Sequence, residues 1–571
     1  MKKEILIGNE AIVRGALASG VNFVSGYPGC PAAEIGDEFG KIAKKFGVYF
    51  EWSVNEKVAL ESAIGASFSG LKTLVNMKSF GINVCSDSLL PLAYTGTKAP
   101  MVIVVADDPS CHSSAQTEQD SRGYAYLSHI PMLEPSDPQE CYDFTKLGFE
   151  ISEKFKTPVI LKTTTRVNHQ RMPVAIDEGI EGKNNKTTAK FIKNPHQFCT
   201  MPPRVLEMKK ELLEKTEQIR TYAEKSKINK TAGRPGSQKF GIIASGVAYL
   251  HAIEAIEELG LNIPVLKLGF FYPLPNKKIA DFIKGLKQVL VAEETDPYLE
   301  KEIKIIAKDK NLKLQIFGKD KCFSVPSGKN DFCGVLPKIG ELNTEKIIFA
   351  IAKILKIKIK NLAQNSNLKI QIPRRTARLC DGCPYWHVFP VVKRIAPEGT
   401  IFGGDIGCNM IAGLSPHNIQ DYLFSMGAGL SISHGVKKSL QQNLEQTTNQ
   451  KVISIIGDGT FFHSGIPALI NTVFNKSNPL LIILDNRITA MTGHQQNPGM
   501  GQTGMGEPTE ELKIEEIVRA CGVKHIKLLD PINVKELEDT IKEFLTKDEV
   551  SVIISKRICA LLEKRQKAKQ H

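Results

Sequence analysis

At 571 residues the chain can form three or four domains with several cores, and no run of about 18 apolar residues is present to span a bilayer. The opening Met1-Lys2-Lys3 meets Glu4, Asn9, Glu10 and Arg14 before any signal-peptide core forms, so a cytoplasmic protein is expected, and twelve scattered cysteines argue against a disulfide scaffold. An excess of 74 basic over 61 acidic residues gives +13, but without zinc-finger spacing or an RNP-type aromatic run the nucleic-acid reading is weak, and a basic surface could equally steer a small acidic protein partner.

Apolar strands alternate with amphipathic helices throughout, which predicts an α/β fold of several doubly wound parallel sheets. The first unit, residues 1–185, has strands near Val75, at Met101 to Ala106 and at Val159 to Leu161. Within it, Glu56 opens a helix rich in small residues, Ala63-Ile64-Gly65-Ala66-Ser67, suited to close packing against a cofactor or another domain. Ser53-x-x-Glu56 also fits a capping box, in which Glu56 would merely serve backbone donors. Residues 186–236 read as a polar, Lys/Glu-rich helical linker ending at Gly233-Arg234-Pro235-Gly236, with no sign of a site. A second α/β unit, 237–360, carries strands at Phe240 to Ala244, Val265 to Lys267 and Val289 to Glu293. A Lys-rich connector leads through Pro373-Arg374-Arg375 within the last unit, 361–571.

That last unit carries two chemical signals. The strand Val452 to Ile456 runs into Gly457-Asp458-Gly459, and 26 residues after Gly459 the strand Leu480 to Leu484 has run into Asp485-Asn486. A carboxylate and an amide at successive strand ends can share one Mg²⁺, and the metal can clamp a diphosphate against a helix N-terminus. A plain Gly-Asp-Gly turn is the competing reading. The spacing resembles the thiamine-diphosphate motif, whose cofactor brings the chemistry of attack on 2-oxo acids. The second signal is Cys380-Asp381-Gly382-Cys383, then Cys408, then Cys559 after the strand Val550 to Ile554. Two ligands from one loop and one from each of two strand ends could hold a single [4Fe–4S] cluster, with Cys521 as a reserve ligand. Zinc and a redox dithiol share the Cys-x-x-Cys element.

Taken with Gly26-Tyr27-Pro28-Gly29, Asn55 to Glu61, Ala106-Asp107-Asp108-Pro109, Glu118 to Arg122, Leu133 to Asp137, Tyr272-Pro273-Leu274-Pro275, Gly404 to Cys408, Ser425-Met426-Gly427-Ala428 and Asp485 to Gln495, the chain resembles over nearly its whole length the thiamine-diphosphate subunit of indolepyruvate:ferredoxin oxidoreductases, in the 2-oxoacid:ferredoxin oxidoreductase superfamily. The resemblance implies a pyrimidine-binding domain first, a transketolase C-terminal-like domain next and the diphosphate/Mg²⁺ domain last. It implies that Glu56 activates the cofactor, that the Ile488 carbonyl joins Asp458 and Asn486 on Mg²⁺, that Met426 and Gly427 lie against the pyrimidine, and that Thr489, Met491 and Thr492 line the diphosphate pocket with Gly457 and Gly459. The implied activity is oxidative decarboxylation of an aryl or related 2-oxo acid to acyl-CoA, with electrons passed to ferredoxin. A smaller beta (gamma-type) subunit and a hetero-oligomer are implied too. A non-oxidative decarboxylase or carboligase is the alternative.

Three departures from the family pattern stand out. Cys30 replaces a threonine expected to hold the substrate carboxylate, although a small buried filler behind Pro31 would also explain it. Tyr385 stands where a histidine follows Cys-Pro, with His387 two places later. No ferredoxin-like cysteine set follows Cys559, so outer clusters are expected on another chain, and the basic tail Lys564 to His571 is expected to lack structure.

Overall fold

The computed structural model describes residues 2–179, 187–233, 239–320, 334–358, 377–441 and 450–570. Pro373-Arg374-Arg375 and residues 234–236 of the linker's end lie outside the described residues. Two compact units result, Met1–Ile370 and Gln371–His571.

In the first unit the strands are β1 (Lys2–Ile7), β2 (Phe23–Gly26), β3 (Tyr49–Trp52), β4 (Thr73–Lys78), β5 (Met101–Asp107), β6 (Met132–Leu133), β7 (Val159–Thr164) and β8 (Arg171–Ile176), followed by β9 (Lys230–Ala232), β10 (Phe240–Ser245), β11 (Val265–Leu268), β12 (Phe270–Tyr272), β13 (Gln288–Ala292) and β14 (Gln315–Phe317). A seven-stranded sheet runs β12-β6-β7-β5-β4-β2-β3, parallel except for β12, and a five-stranded sheet runs β14-β13-β10-β11-β9. Strand β5 is buried along its whole length, as expected of a parallel strand covered by helices on both faces. The linker helix Arg204–Lys225 buries only Met208, Leu212, Thr216, Ile219 and Ala223, a single stripe at helical spacing.

Strand β12 belongs by chain position to the five-stranded region yet pairs with β6 of the other sheet. Asn229 fastens it there, its Oδ1 accepting from the Gly269 and Phe270 N–H groups at 2.9 and 3.0 Å. The same seam holds Arg122, which is 1% exposed. Its Nε and Nη2 donate to the two oxygens of Glu134 at 2.6 and 2.9 Å, and Nη1 donates to the Glu294 carbonyl at 2.9 Å. Burial alone would raise the Glu134 carboxyl, but Arg122 and Lys162 beside it hold it at about 2. Removing one partner from such a buried set typically costs about 3–5 kcal/mol, because the remaining charge is left uncompensated.

The second unit has β15 (Ile401–Gly403), β16 (Val452–Gly457), β17 (Leu480–Asp485), β18 (His525–Leu529) and β19 (Ser551–Lys556), all parallel in the order β15-β16-β17-β19-β18. Strands β16 and β17 are buried throughout, so the apolar runs that announce them also seat their ends. Those carboxyl ends deliver Asp458 and Asn486 side by side, on the edge where parallel α/β sheets bind ligands. The tail is not the unstructured segment expected: Ala560–Gln570 is helical. Its Ala, Leu, Glu, Lys, Arg and Gln residues favour helix, and Lys567 reaches Glu563 one turn back at 2.8 Å.

Candidate active site

Asp458 begins a helical run that continues to Phe474 through a wider π-type turn, Phe461–Gly465, a feature frequent at functional sites. Gly457 caps that run in extended conformation, so the carboxylate stands at the mouth of the helix N-terminus. The Asp458 side chain is buried, its Oδ1 accepting from the Gly459 N–H at 2.7 Å and its Oδ2 from Asn497 Nδ2 at 3.1 Å. The Ile488 N–H is shared between Asp458 Oδ2 and Asn486 Oδ1, at 3.1 Å to each. The two oxygens predicted to ligate one ion thus converge on the backbone of the third predicted ligand. Burial, then the neighbouring Asp485, pushes the Asp458 carboxyl up to about 7.

The surrounding backbone is close-packed. A Cβ on Gly427, whose φ is +79°, would come within 2.8 Å of Ser464 Cβ, and one on Gly429 within 2.4 Å of the Gly404 carbonyl. Met426 is half-buried beside them. Asp405, fully buried, accepts from the Gly457 N–H at 3.0 Å and is pushed up to about 6 by burial. The loop after Asn486 is closed by paired Thr489 and Gln495 backbones at 3.0 and 3.1 Å, with the Thr492 hydroxyl donating to Gln495 Oε1 at 2.6 Å. Met491, by contrast, is exposed.

All four predicted cysteines lie within mutual electrostatic reach, Cys408 feeling Cys383, Cys559 and Cys380 in turn. Burial first and these neighbours second push Cys408 to about 12, and burial is also the largest cause raising Cys383 to about 11. Cys559 Sγ lies 3.7 Å from His494 Nε2. Cys521 sits apart, packed against the hydrophobic cluster of Ile456 and Ile554 on the other side of the sheet from Cys383 and Cys408. Among the described residues no three His, Cys, Asp or Glu side chains are drawn together as tightly as a single metal ion requires. None of the described cysteines is paired in a disulfide.

In the first unit the cap at the head of Glu56–Phe68 is Asn55, whose Oδ1 accepts from the Val58 N–H at 2.9 Å. Ser53 instead donates to Glu51 at 2.7 Å, so the cap is not the Ser53–Glu56 box that the sequence offered as the competing reading. Glu56 is buried, and its side chain occupies space that Gly81 leaves open: a Cβ there would lie 2.6 Å from Glu56 Cγ. Cys30 is partly buried, its thiol raised by burial and then by Glu34, against the opposing pull of Lys78. A thiol donates more weakly than a hydroxyl. Cys30→Thr is expected to lower the apparent KM for simple 2-oxo acids roughly tenfold, the worth of about 1.4 kcal/mol of restored hydrogen bond. An unaltered KM across a panel of aryl and branched-chain acids would remove Cys30 from the substrate contacts.

Motif reading named Asp485 and Asp405 without giving either a role, and passed over Asn497. Asp405 lies within a recognisable stretch, whereas nothing local marks Asn497 as a partner of a residue 39 positions earlier.

Three family models match the chain in succession. Residues 14–230 match the thiamine-diphosphate-binding region of pyruvate flavodoxin/ferredoxin oxidoreductases, residues 229–374 an indolepyruvate oxidoreductase domain, and residues 405–555 the C-terminal binding domain of thiamine pyrophosphate enzymes. An indolepyruvate oxidoreductase subunit IorA from Methanothermobacter marburgensis is 42% identical over 98% of this chain and 87% of its own length. The subunit of the same name from Pyrococcus horikoshii is 39% identical over 98% of this chain and 86% of its own. Among solved structures, a 2-oxoglutarate:ferredoxin oxidoreductase from Magnetococcus marinus aligns over 62% of this chain and 65% of that chain, at 19% identity and a TM-score of 0.49. On identity sustained across nearly its full length, the chain belongs to the family of indolepyruvate oxidoreductase IorA subunits.

Proposed function

We propose that this chain is the thiamine-diphosphate-binding subunit of an enzyme that oxidatively decarboxylates an aryl, indolepyruvate-like 2-oxo acid to acyl-CoA and CO₂ and passes the two electrons singly to ferredoxin. The observation that carries this reading is the convergence of Asp458 and Asn486 oxygens on the Ile488 backbone, at adjacent strand ends of a domain matched to the thiamine pyrophosphate family. Residues 1–185 serve as the pyrimidine-binding domain, 237–360 as the transketolase C-terminal-like domain and 361–571 as the diphosphate domain, with 186–236 between.

The residues present fit Mg²⁺ and a diphosphate. Asp458 and Asp485 oppose one another at neighbouring strand ends, a conflict that a bound cation relieves, and carboxylate, amide and carbonyl oxygens are the hard donors Mg²⁺ takes. When bound, thiamine diphosphate supplies the carbon nucleophile and electron sink that decarboxylation of a 2-oxo acid needs. Asp458, Asn486 and the Ile488 carbonyl hold the metal. Gly457 and Gly459 keep backbone close at the helix mouth, Thr489, Met491 and Thr492 line the diphosphate side, and Met426 with Gly427 flank the pyrimidine. Glu56 holds a proton at the pyrimidine ring nitrogen. Cys30 faces the substrate carboxylate.

Cys380, Cys383, Cys408 and Cys559 suit a [4Fe–4S] cluster, which spaces its ligand sulfurs more widely than a single ion does. Thiols raised by burial and by one another are relieved when iron takes them as thiolates. No helix among the described residues is long and apolar enough to cross a membrane; the cytoplasm, a smaller partner subunit, CoA and ferredoxin complete the proposal.

The test is an anaerobic assay of the protein with its co-purified partner, using aryl, branched-chain and simple 2-oxo acids, CoA and a viologen dye. Dye reduction with indolepyruvate-like acids is expected, and CO₂ release without reduction would defeat the oxidative reading. Iron of about four per chain is expected from one cluster. Cys408→Ala and Cys559→Ala should each lower that iron and abolish dye reduction. Stoichiometric zinc without iron in the wild type would overturn the cluster.

A further inference from the structure

Tyr385 stands where the acidic and cysteine halves of the second unit meet. It opens the helix Tyr385–Ile395 two residues after Cys383 and is 4% exposed, whereas His387, two places further on, is exposed. Its phenol oxygen accepts a hydrogen bond from Asn486 Nδ2 at 2.8 Å. Asn486 is gripped a second time through its backbone carbonyl, which accepts the Cys559 N–H at 3.0 Å. Its amide oxygen meanwhile shares the Ile488 N–H with Asp458. One asparagine therefore touches two cysteine-bearing segments with its amide nitrogen and main chain, and the acidic loop with its amide oxygen.

A carboxamide has two ends of nearly equal shape, and a hydroxyl can serve either of them. A hydroxyl whose proton is committed elsewhere can only accept, and then only the NH₂ end fits. Burial is the first influence that raises the Tyr385 phenol, and after it come Asp458, Cys408, Cys383 and Cys559, every one of them negative once ionised or bound to iron. Burial and these charges keep the phenol neutral, and its oxygen accepts from Asn486 Nδ2.

We propose that Tyr385 is a positioning residue that turns the Asn486 amide oxygen toward Asp458 and, through that bond, couples magnesium–diphosphate occupancy to the state of the cysteine site. The proposal rests on the magnesium and cluster assignments made above. Its sign follows from charge: reduction adds one negative charge among the cysteines, and the more negative field polarises the O–H toward them and makes the oxygen a better acceptor for Asn486. Magnesium and cofactor then bind the reduced state more tightly, and by reciprocity cofactor loading raises the potential of the cluster. A tenfold difference in affinity between the two states corresponds to about 59 mV for a one-electron couple.

The test uses the full chain, purified anaerobically with its partner, as wild type and as Tyr385→Phe. Phenylalanine keeps the ring that packs 5.6 Å from Phe389 and removes only the hydroxyl. Iron content, the Kd of thiamine diphosphate in Mg²⁺, and the midpoint potential of the cluster by electron paramagnetic resonance with and without cofactor are measured. The variant is expected to keep wild-type iron, to bind cofactor about tenfold more weakly and to lose most of the potential shift that loading produces in the wild type. A loading shift retained in full by Tyr385→Phe, or a wild type with iron and no shift, overturns the coupling. Wild type without iron overturns the cluster assignment instead.

Discussion

Asp458→Ala abolishes magnesium-dependent binding of thiamine diphosphate, a loss of more than about 100-fold in affinity by titration calorimetry. Replacing even an outer partner of a metal ligand costs 10–100-fold, and Asp458 is proposed as a ligand itself. The substitution also strips the acceptor from the Gly459, Ile488 and Asn497 N–H groups that hold the loop, so part of the loss could arise from disorder rather than from the missing metal oxygen. Asp458→Asn separates the two causes. It keeps the side chain's size and one oxygen acceptor while its NH₂ replaces the other, so a melting temperature above that of Asp458→Ala with equally poor cofactor binding assigns the loss to the missing charge. Wild-type affinity in Asp458→Ala would sink the magnesium assignment.

Glu56→Gln produces the opposite pattern, near-normal cofactor affinity with chemistry slowed by roughly 10²–10⁴, the range that a positioned acid–base group contributes. An amide still hydrogen-bonds a ring nitrogen but cannot stabilise its protonated form. The helix cap is supplied by the Asn55 side chain, whose bond to the Val58 N–H does not involve the Glu56 carboxylate, and an unchanged melting temperature in Glu56→Gln would show that the fold is kept. The decisive measurement is hydrogen–deuterium exchange at C2 of the bound cofactor. Exchange at the wild-type rate would reduce Glu56 to a buried filler in the space beside Gly81.

Residues whose environment is set by their own strand were readable in advance. Val452–Gly457 and Leu480–Asp485 are apolar from end to end because both faces are covered, so their ends, and hence Asp458 and Asn486, could be located by spacing alone. Residues whose role depends on a distant partner were not. The cap before Glu56 is Asn55 rather than Ser53: its backbone is extended, at φ −160° and ψ 174°, and its Oδ1 accepts from the Val58 N–H, while the Ser53 hydroxyl turns to Glu51. Asn497 gains its meaning from a loop closed by Thr489 and Gln495, which no periodicity records. Strand β12 is three residues long, and its pairing with β6 is a long-range choice. The helical tail was misread because lysine and glutamate, common in disordered chains, are also strong helix formers.

The exchanged strand β12 has a consequence for biosynthesis. The seven-stranded sheet cannot complete its edge until Phe270–Tyr272 has left the ribosome, roughly 100 residues after β7. At about 5–20 residues per second that interval lasts on the order of 5–20 s. Throughout it Met132–Leu133 is an open edge, the kind of surface that recruits strands from other nascent chains, and Arg122 waits without Glu293 and Glu294. A polypeptide released within the linker would be left permanently in that state, which makes the first 230 residues a poor candidate for production as an independent fragment.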